Sequence, residues 1–286
     1  MVNKHTNKQR AVIGDSSRRD RHPGSRPAMQ SSGNRAGPNH ANSASVHPTL
    51  PSHIPDLQCN CIADMIRTIE DTSNLAHRPT YNIDHSDIAY TDLAPETIAS
   101  RPIHAPHLKH LTLRGNNSEP KRQKQHTAVY GSLRARDLEG LSVLRPGRST
   151  TPYDKQLFRF LHSGVDSAKF KHLTLNMRFV YRVGLENYLK SASAASLETL
   201  RLKTNVDIQS CLSEALVAGG RLAGLRTLIV RIKDLVPGEL LDALVARHRS
   251  LGDRDVLHTV EIAAPLSQAT IERARRIGIT LRKVAW

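Results

Sequence analysis

The sequence predicts an α/β chain of about seven strand–helix units stacked in one direction, preceded by a disordered basic tail. Three observations predict it. The frame L-x-x-L-x-L recurs along residues 101–286. The segments between frames carry apolar residues at helical spacing. Residues 1 to about 50 hold almost no large apolar side chains.

The clearest frame is Leu108-Lys109-His110-Leu111-Thr112-Leu113, followed by Asn116. Leu111 and Leu113 stand two apart, so on a strand both point to one face. The frame recurs at Leu138-Leu141-Val143, Phe170-Leu173-Leu175, Leu197-Leu200-Leu202, Leu225-Leu228-Val230 and Leu257-Val260-Ile262, and last at Leu281-Val284-Trp286. Third anchors fall 24 to 32 residues apart. One strand–helix unit of that size cannot bury its apolar face alone, so neighbouring units must supply the second wall. The frame with its trailing Asn is the signature of a leucine-rich-repeat-like solenoid. Asn116 and Asn205 fill the Asn position, where the side chain would hydrogen-bond the turn backbone.

Residues 1–50 are rich in Ser, Asn, Pro, Gly, His and Arg and cannot offset the entropy of ordering. Residues 51–100 read as a helical and irregular N-terminal cap. Asp56 is placed to cap a helix over about 56–70, with Ile54, Leu57, Ile62, Met65 and Ile66 on its apolar face. From Asp71 to Ala105 the chain reads as polar and irregular, with short elements at Ile88–Tyr90 and Leu93–Ile98 leading into the first frame, and Asn116–Lys124 reads as a loop. Tyr153 to Leu161 and Val180 to Leu189 read as helices. Ile208 to Leu216 and Leu240 to Val245 do so too, the latter entered through Pro237. A last helix starts after Ser267 as N-cap and stops at Gly278.

The frames also carry a resemblance. Ala105 to Leu113, Phe170 to Leu175, Ser196 to Leu202 and Gly224 to Leu228 resemble the irregular leucine-rich repeats of fungal F-box-type proteins. The resemblance implies an N-terminal F-box helical module that recruits the Skp adaptor of a cullin ubiquitin ligase, with the repeats holding the substrate. On that reading Ile54, Leu57, Ile62, Met65 and Ile66 form the adaptor-docking face. The chain departs from the pattern after Leu50-Pro51, where only one helix is evident before a polar stretch.

The formal charge of +15 favours acidic partners or nucleic acid. Residues between the anchors point away from the core and line up on the concave side of a stack. They include His110, Arg114, His172, Arg201, Lys203 and Arg231, with Glu261 as the acid among them. Arg201, Lys203 and Arg231 fall on adjacent strands, where they would receive an acidic or phosphorylated protein segment.

No Gly-rich phosphate loop, nucleophile elbow or metal-ligand helix stands in the sequence, so the chain reads as neither an enzyme nor a cofactor or metal carrier. Cys59 and Cys61 lack a second ligand pair, and Cys211 reads as core packing. Met1 to Thr6 are followed by no apolar run, and no stretch is long and apolar enough to span a bilayer. The expected location is therefore the cytoplasm or the nucleus. Two functions follow: a protein-interaction scaffold, extending to a substrate-recognition subunit on the F-box resemblance, or a basic nuclear protein on nucleic acid. Aromatic residues that could stack on bases are nearly absent from the strands, which favours the first.

Overall fold

The fold is that of a computed structural model, which describes residues 56–58, 62–74, 80–84, 94–114, 120–145, 155–218 and 221–285. The predicted tail over 1–50 lies outside the described residues, as do Ile54, Asn116, Cys59 and Cys61.

The chain is α/β, and the described residues form one parallel sheet of nine strands. Six coincide with frames: β4 (His110–Arg114), β6 (Gly140–Arg145), β7 (His172–Met177), β8 (Thr199–Thr204), β9 (Thr227–Ile232) and β10 (Thr259–Ile262). A seventh, β11 (Thr280–Lys283), falls three residues ahead of the last one. Two more, β1 (Asp56–Gln58) and β2 (Thr80–Asp84), extend the sheet before β4. The strands neighbour one another in sequence order, from β1 to β11. A short parallel pair, β3 (Ile103–His104) with β5 (Leu133–Arg134), stands apart from them.

The anchors explain the sheet. Leu111, Leu141, Leu173, Leu200, Leu228 and Val260 share one register line and are at most 1% exposed. Each buried aliphatic side chain of this kind contributes roughly 1.5–3 kcal/mol of transfer free energy. The first anchors, from Leu108 to Leu257, are buried as well, below the strand starts. One backbone device repeats between units. The carbonyls of Lys109, Glu139, Lys171, Glu198 and Arg226 each accept two consecutive N–H groups from the next unit, at 2.7–3.2 Å.

Helices connect the strands: α1 (Ile62–Asn74), α2 (Pro95–Ala99), α3 (Pro120–Ser132), α4 (Lys155–Ser163), α5 (Arg182–Leu189), α6 (Gln209–Val217), α7 (Pro237–Leu251) and α8 (Gln268–Arg276). Their apolar faces join the strand anchors in one core, with Leu157, Phe160, Leu185, Tyr188, Leu212 and Leu244 in it. Ser267 caps α8 as expected, its Oγ accepting from the Thr270 N–H at 3.1 Å. Gly278 ends α8 at φ 75°. There the Gly278 N–H donates to Arg275 and the Ile279 N–H to Ala274, the double bond of a left-handed helix stop.

Five expectations need correction. Asp56 does not cap a helix over 56–70; it opens strand β1, and the helix begins at Ile62. The stretch after Asp71 is less irregular than expected, since α1 runs on to Asn74 and β2 follows, while α2 falls on the short element expected at Leu93–Ile98. The loop expected over Asn116–Lys124 gives way to α3 at Pro120, whose missing N–H suits the first helical turn. That helix escapes periodicity because Gln125 and Ser132 occupy buried positions alongside Val129 and Tyr130.

The last frame is shifted by three residues. Leu281, not Val284, pairs with Val260, so Thr280 rather than Lys283 continues the line of His110 and Thr259. Ile279 and Leu281 are the buried pair there, and Lys283 is exposed. Finally, Asn205 does not bond the turn. It is exposed, and Thr204 beside it does that work. The buried Thr204 hydroxyl donates to the Arg178 carbonyl and accepts from the Val206 N–H, both at 3.2 Å.

Candidate functional site

One face of the sheet carries the anchors and packs on helices. The other carries the residues between them, which are mostly half-buried to exposed. Alternation along each strand puts His110, His172, Arg201, Lys203 and Arg231 on that second face. Arg114 ends β4 at the register position of Leu144.

Three groups of side chains organise the strands. The first is a ladder of alternating charge at the residue before each strand. Lys109 meets Glu139 at 3.0 Å, Lys171 meets Glu198 at 3.0 Å, and Arg226 meets the same Glu198 at 3.8 Å. Lys109, by hydrogen bond and charge, holds the Glu139 carboxyl below its ordinary range. The signal was present in the second position of the successive frames, which reads Lys, Glu, Lys, Glu, Arg. It escapes notice because only register makes those residues neighbours.

The second group is a histidine pair. His110 and His172 sit on either side of Gly140, with ring centroids 6.2 Å apart. A Cβ on Gly140 would lie 2.6 Å from the His110 Nδ1, so glycine is what admits the ring there. Burial pushes both imidazoles below their ordinary value, although Glu139 opposes the shift at His110 and Glu198 at His172. Both rings are therefore neutral at pH ~7. Glu139 approaches the His110 Nε2 only to 4.0 Å.

The third group is Arg201, Lys203 and Arg231. Lys203 and Arg231 stand directly opposite each other on β8 and β9, and Arg201 lies two residues before Lys203 on the same face. Like charges directly opposed across strands are destabilising. Unlike the cations of the ladder, these three have no acidic partner within ion-pair distance among the described residues. Arg201 is exposed and the other two are half-buried. The Arg231 Nε is shielded from solvent and has no hydrogen-bond partner among the described residues. Asn176 and Thr174 on β7 continue the patch at the same register positions.

The structure thus brings Arg201, Lys203 and Arg231 together as the spacing implies, and places the histidine pair on earlier strands. Ile66 of the expected adaptor-docking face is 4% exposed and belongs to the chain's own core, with Ile69 at 1%. Leu57 lies in β1, and Ile62 and Met65 lie on α1. Cys211 is buried, and burial pushes its thiol up to about 11, an unreactive packing residue. Among the described residues no three His, Cys, Asp or Glu side chains gather as metal ligands, and no helix is long and apolar enough to cross a membrane. No protein-family model matches the chain, and no curated protein or solved structure matches it.

Proposed function

We propose that this chain is a protein-interaction scaffold, a leucine-rich-repeat-like solenoid whose helix-free sheet face takes an acidic or phosphorylated segment of a partner protein. The observation that carries the reading is the uncompensated trio Arg201, Lys203 and Arg231. A neighbouring ladder on the same sheet neutralises its cations strand by strand. A patch that leaves like charges opposed and an arginine Nε unbonded gains most from an anion supplied by another molecule. The solenoid reading is supported by the sequence-ordered strands and the repeated two-N–H carbonyl device. The proposed place of action is the cytoplasm or the nucleus.

The F-box resemblance would add the Skp adaptor as a second partner through residues 54–66. The burial of Ile66 and Ile69 in the core weighs against that docking face. The scaffold reading is preferred to nucleic-acid binding because no aromatic side chain stands between Arg201, Lys203 and Arg231 on their strands.

The test is fluorescence anisotropy with a labelled peptide of Asp, Glu and phosphoserine. Charge reversal by Arg201→Glu with Arg231→Glu should weaken binding at least about tenfold while the thermal midpoint stays within a few degrees. Unchanged peptide affinity in the double variant would remove the assignment. So would tighter binding of a single-stranded RNA with a steep salt slope.

A further inference from the structure

Between α2, α3 and the β3–β5 pair lies a cleft of about 600 Å³. None of its lining residues belongs to the nine-stranded sheet, so it is separate from the patch on β8 and β9. Its walls include Arg101, His104, Ser132, Arg134 and Arg136, and among the described lining residues there is no Asp or Glu.

The three arginines are differently held. Arg101 donates to the Glu70 carboxylate at 3.1 Å, which offsets much of its charge. Arg134 is tethered at one end only. Its Nη1 donates to the Gly131 and Leu133 carbonyls at 3.1 and 2.8 Å, which orients the guanidinium without neutralising it. Among the described residues Arg136 has no acid within ion-pair distance, and its backbone carbonyl accepts from the Asp166 N–H at 3.3 Å. Strand register sets Arg134 beside His104.

The frame around them is built from fixed backbone. Ala105 N–H donates to the Arg134 carbonyl at 2.9 Å, and Ala135 N–H to the Gly164 carbonyl at 2.9 Å. The buried Ser132 hydroxyl donates to the Ile98 carbonyl at 3.0 Å and pins α3 to α2. A pre-oriented guanidinium loses less freedom on binding, and its remaining N–H groups form a planar fork suited to phosphate oxygens.

We propose that this cleft binds a small ligand bearing a diphosphate group. Two uncompensated guanidiniums call for more than one negative charge. A cleft of this volume lies in the range of small-ligand sites and exceeds what a single phosphate fills.

The experiment is isothermal titration calorimetry on the full chain with inorganic pyrophosphate, and separately with inorganic phosphate, at constant ionic strength. Pyrophosphate should saturate one site at least about tenfold more tightly than phosphate. Arg134→Gln with Arg136→Gln should weaken pyrophosphate by at least about tenfold, and Arg136→Gln alone should weaken it measurably. The single variant guards against misfolding, because the Arg136 side chain is exposed and makes no hydrogen bond or ion pair among the described residues. Arg201→Glu with Arg231→Glu should leave pyrophosphate binding in place, which separates this site from the peptide patch. Absence of saturable binding, equal affinity for the two anions, or loss of binding only in the Arg201 and Arg231 variant would each overturn the proposal.

Discussion

His110 and His172 show how a single glycine sets the chemistry of two neighbours. Gly140 lets the rings approach across one strand, and the resulting burial keeps both imidazoles neutral. The consequence for stability has a definite sign. The unfolded chain takes up protons on these groups at their ordinary 6.5, whereas the folded chain resists until lower pH. Stability therefore falls as pH drops below that value, and the loss is complete once the folded rings also protonate. Replacing both, His110→Asn with His172→Asn, should reduce the drop in urea midpoint between pH about 7.5 and about 5.5. His162, whose imidazole burial also lowers, would leave a residual slope. An identical pH dependence in the double variant would count against the pair. At lower pH the lysine-paired carboxyls of Asp137, Glu139 and Glu186 contribute in the same direction. Their stabilisation is present above the ordinary carboxylate range and disappears as pH falls through their lowered values.

Between elements, one ion pair is almost fully buried. Arg247 on α7 and Asp255 ahead of β10 meet at 2.9 Å with side chains 1% and 2% exposed. Asp255 also accepts from the Leu257 N–H at 3.2 Å, so the pair fixes the turn that returns the chain to the sheet. Its other carboxylate oxygen is buried without a partner. Arg247→Ala would leave that carboxylate unpaired in the interior and should cost about 3–5 kcal/mol. The double replacement Arg247→Met with Asp255→Leu should cost less than the sum of the single ones. Urea unfolding of the wild type and the four variants checks both, and simple additivity would sink the assignment. Gln209 plays a milder role one unit earlier. Its amide donates to the Val236 carbonyl at 3.3 Å and accepts from the Val236 N–H at 2.8 Å, tying α6 to the start of α7.

Across the whole molecule, each strand of the nine-stranded sheet pairs only with the strands just before and after it in that sheet's order, so a wound in the middle differs from one at the edge. Leu228 is fully buried between β8 and β10, whereas Leu281 on the outermost strand β11 is 9% exposed. Leu228→Ala should cost about 2–5 kcal/mol, because flanking strands on both sides hold the cavity open. Leu281→Ala should cost less, since the site can relax and was never fully buried. Equal losses in chemical denaturation would mean that the sheet does not behave as a row of nearest-neighbour units.

The sequence by itself determined the inward face of the sheet. Strand alternation is a local rule, so Leu111 and Leu113, and their counterparts through Val260 and Ile262, were legible without any tertiary information. The helix ends at Ser267 and Gly278 were legible for the same reason, because a cap is made within a few residues. Arg201, Lys203 and Arg231 could be placed as neighbours because the frames carry their register. Only the tertiary structure decided what depends on contacts far apart in the chain. It turned Asp56–Gln58 and Thr80–Asp84 into strands, since a sheet edge can recruit segments with little apolar pattern of their own. It chose Leu281 over Val284 as the partner of Val260, where either residue satisfies the local frame. It also made a ladder of Lys109, Glu139, Lys171, Glu198 and Arg226, a buried pair of Arg247 and Asp255, and a cleft between Arg101, Arg134 and Arg136. Charge in a sequence says how much there is, and only packing says which charges are answered.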